Sequence, residues 1–149
     1  DMRKNPEFEK RYDAKYLPME KLLQESDFVS LHVPLLPSTR HLISTAELAL
    51  MKKTSFLINT ARGPVVDEKA LLRALRSVRI AGAGLDVFEF EPAIDCDIKD
   101  NLELKAFPNV ILTPHIASAT FEARASMSRC AAANIVSFFE NGLAPNAVK

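Results

Sequence analysis

The stretch SFLINTARGPVVDEKALLRALRSVRIAGAGLDV, residues 55–87, holds a strand, a helix and a second strand in immediate succession. Ser55 to Asn59 is short and apolar, as a buried strand is. Asp67 stands at an N-cap position, and Leu71, Leu72 and Leu75 fall on one side of a helix from Glu68 to about Arg76. Ile80 to Val87 gives the next strand, with small residues that let it approach its neighbours closely. A strand that returns to its sheet through a helix pairs in parallel. The loop between the first strand and the helix carries Arg62, followed by Gly63 and Pro64.

The same alternation extends outward. Residues 2–18 are polar and read as a loop with a charged helical turn, and Met19 to Glu25 as a short helix with Leu22 and Leu23 facing inward. Phe28, Val29, Leu31 and Val33 form a nearly continuous apolar strand, the pattern expected when helices cover both faces. Pro34 and Pro37 end it, and Thr45 to Met51 follows as a helix capped by Ser44. Downstream, residues 92–108 are an irregular acidic connection and Val110 to Thr113 is the last strand. Thr120 to Glu140 is the longest helix, with Phe121, Ala125, Ala132, Ile135, Val136 and Phe139 at helical spacing and Gly142 beyond its end. It reads as a packing element. The fold class is α/β: a partial doubly wound parallel sheet with a long C-terminal helix.

At 149 residues the chain is long enough for one domain with a real core. Its 48% hydrophobic and 26% charged content is ordinary for a soluble globular protein. Nineteen basic residues balance nineteen acidic ones, so no global field favours nucleic acid or a membrane surface. No apolar run reaches the roughly 20 residues needed to span a bilayer. Cys96 and Cys130 have neither metal-ligand spacing nor the number for a disulfide framework, so no metal is expected and a reduced cytoplasmic setting is the simplest expectation.

Three loops that follow strand-like runs carry a cation, carboxylates and an imidazole: Arg62, then Asp86 to Glu91, then His115. In open α/β sheets ligands bind outside the carboxyl ends of the strands. A planar guanidinium suits an anionic substrate, and a histidine oriented by a carboxylate can pass a proton near neutral pH. Gly63, beside Arg62, is expected to let a substrate approach the guanidinium. Spacing alone does not separate Glu89 from Glu91 as the carboxylate partner of the histidine.

The segments Ser26 to Pro34, Asn59 to Asp67, Ala81 to Phe88 and Pro108 to His115 occur in the order found in the D-isomer-specific 2-hydroxyacid dehydrogenases, and the chain resembles that family over essentially its whole length. The resemblance implies NAD(P)-dependent interconversion of a 2-keto acid and a D-2-hydroxy acid. It implies that Arg62 binds the substrate carboxylate and polarises the keto oxygen, and that His115 is the general acid. Glu91, matched through Glu91-Pro92, would orient the imidazole and stabilise its charged form, leaving Glu89 as a surface carboxylate. Asp1 would accept hydrogen bonds from the adenosine ribose and favour NAD over NADP, with Arg3 and Lys4 partly offsetting that preference. Val33 and Pro34 would flank the adenine, with Thr39 nearby. Thr60, Ala61, Asp86 and the residues around His115, including Ala117 and Ser118, would line the cofactor pocket. His32 reads as structural and His41 as a surface residue.

Two further expectations concern organisation. The chain contains only Gly63, Gly82, Gly84 and Gly142, and no Gly-x-Gly-x-x-Gly. The family places such a turn, and a substrate domain, ahead of the residue matching Asp1. Residues 1–118 are therefore expected to be a partial NAD(P)-binding domain. Residues 119–149 are expected to pack back toward the substrate domain, in a homodimer. Taken alone, the chain is expected to be an inactive fragment. The same scaffold serves dinucleotide-sensing corepressors, which can retain the Arg–Glu–His set, so that alternative stays open. Relatives commonly have glycine where Val78 stands, so either the turn differs here or the left-handed conformation is not required.

Overall fold

In the computed structural model, residues 4–90 and 103–147 are described. The chain divides into two units, Asp1–Pro114 and His115–Lys149. The first opens with α1 (Pro6–Tyr12), capped by Asn5 through the Phe8 N–H at 3.0 Å, and α2 (Met19–Glu25). Four short strands follow: β1 (Phe28–Leu31), β2 (Phe56–Asn59), β3 (Gly82–Leu85) and β4 (Val110–Leu112). They pair in parallel in the order β1-β2-β3-β4, with Phe28 opposite Phe56, Phe56 opposite Gly82 and Ala83 opposite Val110. The crossovers carry α3 (Thr45–Leu50) and α4 (Glu68–Arg76).

The caps expected from sequence form. The Ser44 N–H donates to Glu47 at 3.0 Å in a capping box, and the Asp67 side chain accepts from the Ala70 N–H at 2.9 Å. The core lies on one face of the sheet, where Val29, Leu31, Leu57, Ala83 and Leu85 meet Leu23, Leu48, Leu71 and Leu75. The opposite face differs from expectation. Phe28 is 69% exposed and Ile111 72% exposed, so β1 alternates in and out instead of being covered on both sides.

Val78 adopts φ 52°, the left-handed region. Its N–H donates to the Leu75 carbonyl at 3.1 Å, and the Arg79 N–H to Ala74 at 2.8 Å, which is the doubly bonded helix end that ordinarily takes glycine. The left-handed turn is therefore kept, with valine in it. The second unit carries α5 (Phe121–Asn141), which starts at the Thr120 hydroxyl and ends at Gly142 with φ 70°. None of its residues is buried, and Phe121, Ile135, Val136, Phe138 and Phe139 are exposed.

Candidate active site

Because β1 to β4 run in parallel, the segments leaving them emerge at one edge of the sheet. Asn59, the buried last residue of β2, shapes the arginine loop. Its Oδ1 accepts from the Ala61 N–H at 3.1 Å and its Nδ2 donates to the Arg62 carbonyl at 3.0 Å. Its own carbonyl accepts from the Asp86 N–H at 3.0 Å. Both ends of the side chain are thus used to fold the chain around residues 60–62. Arg62 is exposed, and its Nη1 donates to the Ala61 carbonyl at 2.6 Å.

Gly63 is small for a different reason than the one read from sequence. A Cβ there would overlap the Phe88 carbonyl and crowd the Glu89 nitrogen. The missing side chain admits the backbone of the loop after β3, not a substrate. That loop begins with Asp86, whose buried carboxylate accepts from the Thr113 hydroxyl. The Thr113 N–H donates to the Leu85 carbonyl at 2.9 Å, so the exits of β3 and β4 are bound together. The sequence assigns no role to Asn59 and Thr113. Their only local signal is a polar residue at the carboxyl end of an apolar run.

Val33, Pro34, Thr60, Ala61 and Arg62, with His32 and Leu35, line an open cleft of about 600 Å³. A neighbouring cavity of about 580 Å³ shares His32, Val33 and Pro34 and is walled by Leu22, Leu31, Leu36, Leu42 and Thr39. The Thr39 hydroxyl donates to the Pro34 carbonyl at 2.7 Å and accepts from the Leu36 N–H at 2.8 Å, closing the loop after β1. His32 is exposed at the cleft, with Nε2 2.8 Å from the Ser30 hydroxyl, and is not a core histidine.

The carboxylate read as a surface group is not one. Glu89 has a side chain only 10% exposed, with Oε1 2.7 Å from His41 Nε2 and 3.5 Å from Arg40 Nη2. Nearby, burial opposes charge on Asp67. The Ala70 N–H, the Ser44 hydroxyl, His41 and Arg73 outweigh that effect and hold its carboxyl below the ordinary range.

His115 belongs to the second unit, where it is exposed at φ 54°, a conformation histidine tolerates better than most side chains. Ala117 and Ser118 follow it in the exposed turn before α5. Asp1 and Glu91 lie outside the described residues. The structure thus gathers Val33, Pro34, Thr60, Ala61 and Arg62 at one cleft and ties Asp86 to the same loop, with Thr39 in the adjoining cavity.

Residues 1–117 match the D-isomer specific 2-hydroxyacid dehydrogenase, NAD binding domain. The chain belongs to the D-isomer-specific 2-hydroxyacid dehydrogenase family. Its relatives include a glyoxylate reductase of Korarchaeum cryptofilum, 49% identical over 99% of this chain and 43% of that protein. Another is a glyoxylate reductase of Aeropyrum pernix, 51% identical over 95% of this chain and 41% of that protein. Among solved structures, a D-lactate dehydrogenase with NAD+ from Lactobacillus jensenii superposes with a TM-score of 0.90 at 36% identity, covering 100% of this chain and 47% of that one. An NADPH-dependent glyoxylate/hydroxypyruvate reductase from Sinorhizobium meliloti, in complex with NADP and malonate, gives a TM-score of 0.77 at 38% identity. It covers 87% of this chain and 39% of that one. The chain spans about two fifths of the length of the curated relatives it matches.

The residues present fit this family's dinucleotide. The apolar cavity suits a planar aromatic ring, and the adjoining cleft offers the polar groups of residues 60–62 beside it. No group of three or more potential metal ligands occurs among the described residues. No described helix is long and apolar enough to cross a membrane.

Proposed function

We propose that the native protein interconverts a small 2-keto acid and the corresponding D-2-hydroxy acid, with glyoxylate and hydroxypyruvate as the first substrates to try. One observation carries this reading: the Asn59-braced arginine loop opens on the cleft that holds Val33 and Pro34, in a chain of this family's NAD-binding domain. Bound NADH supplies the hydride that reduces the keto carbon. Arg62 grips the substrate carboxylate through its fork and polarises the keto oxygen. His115 gives a proton to that oxygen in reduction and takes it back in oxidation, with Glu91 orienting the imidazole. Val33 and Pro34 flank the adenine beside Thr39. Thr60, Ala61, Asp86, Ala117 and Ser118 line the remaining cofactor surface. Asp1 binds the ribose hydroxyls and favours NAD, with NADP the weaker cofactor.

Residues 1–118 act as the dinucleotide-binding part. Residues 119–149 dock on the substrate-binding domain, a reading supported by the exposed apolar side chains of α5. The free, exposed Cys130 fits a reducing cytoplasm, and a homodimer is the expected assembly. With no Gly-x-Gly-x-x-Gly to anchor a pyrophosphate, a polypeptide of these 149 residues alone should not turn over 2-keto acids. The test is to follow NADH consumption by the native protein with glyoxylate and hydroxypyruvate and to determine the configuration of the glycerate formed. D-glycerate with Arg62-dependent turnover supports the reading. L-glycerate, or no turnover of any 2-keto acid with either nicotinamide cofactor, refutes it.

A further inference from the structure

We propose that His41 and Glu89 form a clamp across the arginine loop and are positioning residues for Arg62. The inference rests on the substrate-binding reading of Arg62 given above. Their contact joins segments 48 residues apart, with His41 Nε2 2.7 Å from Glu89 Oε1 and Arg40 Nη2 at 3.5 Å. Each partner sits on a different flank of the loop.

On one flank, the His41 N–H donates to the Pro64 carbonyl at 2.8 Å. The Ile43 N–H donates to Val65 at 3.1 Å and the Ile43 carbonyl accepts from the Asp67 N–H at 3.0 Å, so residues 41–43 run as a strap beside residues 64–67. On the other flank, the Phe88–Glu89 backbone lies against Gly63 so closely that no Cβ fits. The Glu89 N–H donates to the Glu68 carboxylate at the start of α4. The His41–Glu89 pair therefore closes a ring around the backbone that carries Arg62.

Two features indicate that this ring is held firmly. The side chain of Glu89 is 10% and that of His41 37% exposed, so their hydrogen bond is part-buried and meets less competition from water than a surface contact does. His41 adopts φ 51°, with its ring nitrogen on Glu89 and its N–H on the Pro64 carbonyl. Among the described residues the exposed Arg62 side chain bonds the neighbouring Ala61 carbonyl, so its aim depends on how the loop backbone is held. Small displacements of a substrate-orienting group cost rate out of proportion to their size.

The test uses the native protein. His41→Asn keeps a residue that tolerates the left-handed backbone but is too short to reach Glu89. Glu89→Ala removes the other partner, and Glu89→Gln keeps an acceptor for the imidazole. At matched folded fraction, His41→Asn and Glu89→Ala should each lower kcat/KM for glyoxylate about tenfold, while the NADH dissociation constant stays within about twofold. The double variant should lose no more than the worse single, and Glu89→Gln should stay within about threefold of wild type. Wild-type kcat/KM in the singles, multiplicative losses in the double, or a parallel fall in NADH affinity would each overturn the clamp. Arg62→Lys run alongside separates the two layers. If it stays active, the reading of Arg62 fails and the clamp falls with it. If it is crippled while the His41 and Glu89 variants are normal, only the clamp is refuted.

Discussion

Val78→Gly should stabilise the protein. Val78 occupies the left-handed position after α4 at φ 52° and is 70% exposed. An L-residue pays about 1–2 kcal/mol there because its Cβ crowds the following carbonyl, and a β-branched side chain lies at the upper end of that range. Glycine removes the crowding but adds about 0.5–1 kcal/mol of conformational entropy to the unfolded chain. With little side-chain burial to lose, the net gain is about 0.5–1.5 kcal/mol. For a chain of this size that corresponds to a Tm rise of roughly 1–6 °C. Thermal and urea denaturation followed by circular dichroism measure it. Val78→Ala is the control: it keeps a Cβ at the same φ and should gain clearly less than glycine. If glycine is neutral or destabilising, or if alanine gains as much, the strain assigned to this turn is wrong.

Gly63→Ala should destabilise by about 1–3 kcal/mol and lower kcat/KM, because the Phe88 carbonyl must move to admit the methyl group; a melt and steady-state kinetics within error of wild type would show that the loops do not touch. Asn59→Ala should cost about 1–3 kcal/mol in urea denaturation, since it strands the buried Ala61 N–H. Asn59→Asp keeps that acceptor but sets a buried carboxylate oxygen against the Arg62 carbonyl, so it should cost at least as much as alanine. Asp67→Asn keeps the helix cap but removes the charge. Because the folded carboxyl is held below its ordinary range, its contribution is present above about pH 4 and is lost as pH falls through the folded value. The Tm deficit of Asp67→Asn should therefore be largest near neutral pH and vanish in acid; a deficit that is constant with pH would mean the charge contributes nothing.

The alternation of strands and helices was legible because each element carries its own period. The α4 leucines recur at helical spacing, Asp67 and Ser44 cap as their side chains allow, and Gly142 ends α5 in the expected left-handed turn. The uncovered face of β1 was not legible. Phe28 and Val29 are equally apolar, and only the placement of α2 and α3 decides which one is buried. The burial of Glu89 is not legible for the same reason, since local spacing carries no information about His41, 48 residues away. Gly63 was marked by its neighbours, but its cause, the Phe88 carbonyl, comes from another loop. At the site, motif order picked out Arg62 and Asp86. It gave no role to Asn59 and Thr113, which lie in the same segments and whose side chains act by bracing backbone and carboxylate within the fold.

Arg62 is proposed to anchor the carboxylate of a 2-keto acid beside a bound dinucleotide. The most direct measurement is kcat/KM for glyoxylate reduction by the native protein and its Arg62→Lys variant, with NADH binding titrated in parallel. Lysine keeps the charge and loses the fork, so kcat/KM should fall about 100-fold or more while NADH affinity is unchanged. Activity within about threefold of wild type, or a loss that follows weakened NADH binding, would contradict that role for Arg62.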